Sequence, residues 1–209
     1  ARMPQGSGTL REDAARIVET TFSLFAYDPD GGLATRLADI PSRPRFGEGR
    51  LGFPYVPLTP DPSFAAAGND LLLSLGQDPE VNQIGPDGSL RAILRWNQTR
   101  TRVSEVWSRF SEDYLSQVDE GRRPAYSRFL AMAGLPIPAL VPAVSEVRVD
   151  PLGFFWVQQY RLPWEVEPVW HILSPEGVWV GSMQTPLNVR ILEIGEDYLL
   201  GRHRDELDI

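Results

Sequence analysis

The stretch "GPDGSL", Gly85 to Leu90, decides the fold, because near copies of it stand at "DPDGGL", from Asp28, and "SPEGVW", from Ser174. Pro29, Pro86 and Pro175 are each followed by an acidic residue and then by glycine. Proline presets φ at the first turn position and glycine accepts a positive φ at a later one, so this triplet between two apolar runs is a hairpin signal. The copies also agree further out. Tyr27, Ile84 and Leu173 lie two residues before the proline, while Leu33, Leu90 and Trp179 lie four residues after it and Leu37, Leu94 and Met183 eight.

A second turn precedes the first. "GNDLLLSLGQD" from Gly68 and "GEDYLLGRHRD" from Gly195 share Gly, Asp and a leucine pair, Leu72–Leu73 and Leu199–Leu200, and "DPLGFFWVQQY" from Asp150 is a looser third version. One unit therefore reads as strand, turn, strand, loop, strand, turn, strand. Four short antiparallel strands make the blade of a β-propeller. The turn prolines are 57 and then 89 residues apart, an irregularity that one insertion explains. Between residues 98 and 142 the apolar period changes: Val103, Val106, Trp107, Phe110, Tyr114 and Val118 recur every three or four residues, predicting an amphipathic helix that starts near Ser104 and Glu105. A second helix is predicted over Pro124 to Ala133, with Tyr126, Phe129, Leu130 and Ala133 on one face. Without this insertion the second spacing falls to about 44 residues, the size of known blades. The longer first spacing contains a proline-rich arm, residues 41–62, "PSRPRFGEGRLGFPYVPLTPDP".

Residues 61–96 and 143–186 make two complete units, whereas residues 14–40 supply only a second hairpin and residues 187–209 only a first one. The fold expected over residues 1–209 is one mainly β, propeller-like domain of antiparallel four-stranded blades, its ring open or incomplete, with a two-helix insertion. Three blade equivalents fall short of the roughly 4–8 in known rings, so either the sequence is part of a longer protein or the fold is an open, curved sheet assembly whose bare edges, which invite aggregation, something else must cover. The turn motifs and the helical insertion resemble the bacterial six-bladed, NHL-like β-propeller family, many of whose members are extracytoplasmic. The resemblance implies a fold and carries no catalytic residue across.

Composition narrows the function. A net charge of −8 and a pI near 4.8 argue against nucleic acid, whose binding is built on clustered cations. All basic residues are Arg, which we ascribe to coding bias, and the absence of cysteine removes disulfides, thiolate metal sites and cysteine nucleophiles. No apolar run reaches the roughly 20 residues of a membrane-spanning helix, and the start "ARMPQGSGTL" fits a processed or trimmed chain. His171 and His203 form no paired-ligand motif, and no nucleophile elbow or phosphate loop is present. The turn acids Asp28, Asp30, Asp87 and Glu176 lack the spacing of a calcium loop. No catalytic residue, cofactor or metal is therefore assigned.

Partner binding is expected instead. Phe53, Tyr55 and Leu58, held extended by nearby prolines, are candidate anchors for a partner groove, against the alternative that they pack on the protein's own sheet. Trp156, Trp164, Trp170 and Trp179 crowd one unit, where strand alternation favours core packing. Trp164, between Pro163 and Glu165, is the one expected to be exposed. These features predict a non-catalytic, extracytoplasmic (periplasmic) scaffold or accessory subunit that binds protein partners, with a bacterial respiratory or photosynthetic membrane complex as a natural host. The competing expectation is a ligand-binding or hydrolytic propeller whose site lies in blades outside this chain.

Overall fold

The three proline turns are one structure. In the computed structural model, which describes residues 17–28, 30–46, 55–132 and 134–203, the N–H groups of Asp28, Gly85 and Ser174 donate to the carbonyls of Gly32, Ser89 and Val178 at 2.9, 2.8 and 2.7 Å. Gly31, Gly88 and Gly177 each donate back to the first turn residue, with φ of 84°, 79° and 80°. Gly153, φ 84°, closes the same turn on Asp150. The loose third copy of the first-hairpin turn is thus a proline turn itself, with Pro151 and Leu152 at its centre.

In chain order the elements are β1 (Ile17–Val18), β2 (Thr21–Tyr27), β3 (Leu33–Pro41), β4 (Arg45–Phe46), β5 (Ser63–Ala67), β6 (Asp70–Ser74), β7 (Glu80–Ile84), β8 (Leu90–Arg95), α1 (Val103–Ser116), α2 (Arg123–Leu130), β9 (Val144–Val149), β10 (Phe155–Gln159), β11 (Val169–Leu173), β12 (Trp179–Gln184), β13 (Val189–Ile194) and β14 (Leu199–His203). β5–β6–β7–β8 and β9–β10–β11–β12 are antiparallel four-stranded blades in sequential order, β2–β3 and β13–β14 are two-stranded half-blades, and β1 pairs with β4. No ring closes among the described residues, because the two half-blades remain separate ladders.

Among the described residues, the buried clusters between units join neighbours in sequence. Ile40 of the first half-blade meets Leu73 and Ile84 of the first complete blade. Leu72 and Val81 on that blade's other face meet Val144, Val147, Phe155 and Leu173 of the second. Trp170, 2% exposed, joins the second blade to Ile191 and Ile194 of the last half-blade. The turn glycines fit the same series: a Cβ on Gly88 would lie 2.7 Å from the Arg36 carbonyl oxygen of the preceding unit, and one on Gly177 would meet Leu94 of its own predecessor. Among the described residues nothing lies within 4 Å of the corresponding point at Gly31.

Both predicted helices form, with shifted ends. α1 begins at Val103 because the chain leaves an antiparallel bridge between Arg102 and Leu140 there, and the Val103 N–H is taken by Ala139 O at 3.0 Å. α2 ends at Leu130, short of Ala133, which lies outside the described residues.

Candidate interaction site

Three connections leave the blades from the same end of their strands: the arm from β3 to β5, the insertion from β8 to β9, and the loop from β10 to β11. In an antiparallel sheet of sequential strands, outer-to-next-inner and second-to-third links share one end, opposite to the proline turns. These three segments build a cap with a core of its own. Leu58 of the arm, Val103, Phe110 and Val141 of the insertion and Leu162 of the loop form one buried cluster; Val56, Phe129 and Leu130 form a second. Trp107, Phe110, Tyr114 and Tyr126 continue as a ladder of rings 5.8–6.0 Å apart, which is why the three- and four-residue spacing was so regular.

The insertion is also rooted firmly. Val141 N–H donates to Thr101 O at 2.9 Å, and Arg100 donates to Gln77 O, Val141 O and Asp78 Oδ1 at 2.6, 2.8 and 3.2 Å. That single guanidinium ties the stem to the turn after β6.

The candidate anchors are divided by this arrangement. Leu58 is 0% exposed and carries φ 55°, the one positive φ outside glycine among the described residues; it is committed to the cap's core, and its assignment as a partner anchor is withdrawn. Phe53 lies outside the described residues. Tyr55 is 42% exposed and bridges back to Arg45 in an antiparallel contact, so the arm doubles over at its base. The Arg43 and Arg45 guanidinium carbons stand 5.0 and 4.9 Å from the Tyr55 ring centre, and Arg45 Nη2 donates to its hydroxyl at 2.9 Å. Trp164 is half-buried against the cap core with the Arg109 guanidinium 4.3 Å over its ring. The most exposed of the four clustered tryptophans is Trp179, at 55%, on an outer strand. Two arginine-backed aromatics therefore mark the cap surface, Tyr55 backed from within the arm and Trp164 of the loop backed by Arg109 of the insertion, a pairing that sequence spacing alone does not bring together.

A second concavity lies along the innermost strands. β5, β9 and β13 line an open groove of about 750 Å³ with Phe64, Glu146, Arg148, Asp150 and Glu193 on its walls. Val147 N–H donates to Ser63 Oγ at 2.9 Å and Arg148 Nη1 to Leu192 O at 3.1 Å, stitching the three strands. Among the described residues no three His, Asp or Glu side chains converge as a metal site, and no helix is long and apolar enough to cross a membrane.

The turn acids serve the turns. Ser89 Oγ donates to Asp87 at 2.6 Å and Ser174 Oγ to Glu176 at 2.6 Å, and these hydroxyl bonds lower both carboxyl pKa values. His203 contacts Asn188, while its neighbours Arg204, Asp205 and Glu206 lie outside the described residues. His171 sits 6.1 Å from Trp96 with both ring nitrogens buried and unpaired, and burial lowers its pKa.

The folded protein therefore holds the neutral His171 ring, and the unfolded chain takes up the proton first as pH falls below about 6.5. The stability this residue contributes is present above that pH and lost below it. The melting temperature is expected to drop between pH 7 and pH 5, and His171→Phe to flatten that drop; equal slopes for both proteins in a thermal-melt series would assign it to other groups.

No protein-family model matches the chain, and no curated protein matches it either.

Proposed function

We propose that this protein is a non-catalytic scaffold or accessory subunit that presents its cap to a protein partner in a larger assembly, of the extracytoplasmic kind that its sequence resemblance implies. The observation that carries this reading is the cap itself: three separated segments converge on one face, share a buried core, and display Tyr55 and Trp164 with arginines stacked on them. Tyr, Trp and Arg are the residue types that dominate binding energy at protein interfaces, and a rigid support reduces the entropy lost on docking. The tied-down base of the arm favours a preformed surface over a free strap.

The experiment is gentle isolation from the native source followed by native and denaturing mass spectrometry. A chain containing this sequence held in a stoichiometric complex supports the proposal; the same chain isolated without any other protein overturns it. In that complex, Tyr55→Ala with Arg109→Ala is expected to weaken association tenfold or more, with thermal stability changed by less than about 1 kcal/mol because both positions are on the surface.

A further inference from the structure

Unpaired hydrogen-bond donors gather on one cavity. A cleft of about 350 Å³ lies between the cap end of the second complete blade and the start of β13, within the roughly 300–1,000 Å³ of small-molecule sites. Gln158, Tyr160, Arg161, Trp170 and Thr185 line it. All five belong to the second complete unit, residues 143–186, in the interior of the sequence.

Two of these side chains are almost fully buried and lack a partner. Trp170 is 2% exposed, and its indole N–H is buried without an acceptor. Thr185 is 5% exposed; its backbone N–H donates to Pro168 O at 3.0 Å, while its hydroxyl makes no hydrogen bond among the described residues. Buried donors are destabilising unless an acceptor meets them, so two on one cavity point to an acceptor from outside the chain.

The acceptors on the same walls are already engaged. Ser145 Oγ donates to Gln158 Oε1 at 2.9 Å, which leaves the N–H groups of that amide free. Glu146 is neutralised by Arg148 at 2.6 Å, and the Glu165 carboxylate accepts the Leu162 N–H at 2.7 Å. Arg161 gives one N–H to the Glu165 carbonyl at 2.5 Å and pairs with no carboxylate among the described residues. The cavity thus offers donors and a positive charge, and Pro168, Leu187 and Ile191 complete it with apolar surface.

We propose that this cavity binds a small organic carboxylate, its anionic end taken by Arg161 and the free donors and its apolar body lying along Pro168 and Ile191. A guanidinium fork matches the two oxygens of a carboxylate. Inorganic phosphate would find the same charge and leave the apolar wall without a contact. The inference does not depend on the cap as a docking surface, since none of its groups is Tyr55 or Trp164.

Nuclear magnetic resonance of the indole N–H groups tests it, with benzoate as the probe and benzamide and inorganic phosphate as controls. The Trp170 signal is the one missing from Trp170→Phe, which keeps most of the buried ring. Benzoate is expected to shift that signal saturably, with a dissociation constant of about 1 mM, and Arg161→Gln to weaken binding about tenfold. The two controls are expected to leave the signal in place at the same concentration. No shift with benzoate overturns the proposal, as does an equal shift with benzamide, an equal shift with phosphate, or an unchanged affinity in Arg161→Gln. If Trp170→Phe fails to fold, calorimetry with benzoate on the wild type and on Thr185→Val, which keeps the shape of the side chain and removes the hydroxyl, decides: weaker binding in the variant supports the site, and equal or undetectable binding in both overturns it.

Discussion

Trp170→Ala is expected to release the β13–β14 half-blade from the rest of the protein while the complete blades stay folded. Trp170 is 2% exposed and forms, with Ile191 and Ile194, the buried contact between the second complete blade and this hairpin. Removing a buried tryptophan typically costs about 3–5 kcal/mol, from lost transfer energy plus the cavity left behind, and an isolated two-stranded hairpin is marginal in water. The loss should therefore be local before it is global. Hydrogen exchange should show β13 and β14 losing protection first, with β5–β8 almost unchanged. Uniform loss across all strands would mean that the array melts as one cooperative unit. Trp170→Phe is expected to be much milder, since it keeps most of the buried volume and removes an indole N–H that has no hydrogen-bond partner.

The second large effect concerns Gly88. Its φ of 79° lies where an L side chain costs roughly 1–2 kcal/mol, and an added Cβ would stand 2.7 Å from the Arg36 carbonyl oxygen, a backbone atom that cannot turn away. Gly88→Ala should lose about 3 kcal/mol in a denaturant titration, combining the φ penalty with the 1–3 kcal/mol typical of overpacking. Gly31→Ala is the control. It carries the same φ penalty, φ 84°, with nothing among the described residues within 4 Å of its Cβ, so it should lose only the backbone part. Equal losses at both sites would show that the contact between units carries no energy.

The comparison of these glycines also shows what a sequence can reveal. The proline turns were legible because only Pro and Gly satisfy their φ values cheaply, so the chemistry of the turn is written directly in the residues. Blade limits and helix faces followed from apolar periods, which report local geometry. What stayed hidden depends on tertiary neighbours. Nothing local says that Leu58 turns inward with a left-handed backbone, since such a position is paid for by the cap that surrounds it. Similarly, Trp164 was expected to be open to solvent and instead finds Arg109 across from it, while Trp179 is exposed because no further strand covers the outer edge of β12. The start of α1 was missed because a bridge between Arg102 and Leu140, 38 residues apart, sets it in place of a side-chain cap.

The single-sided placement of the cap has one more effect. The arm, the insertion and the β10–β11 loop leave the strands at the end opposite the proline turns, so a protein seated on the cap leaves the turn end uncovered. A reporter attached beside Gly88 or Gly177 would then follow unfolding of the blades in the free and the bound protein alike.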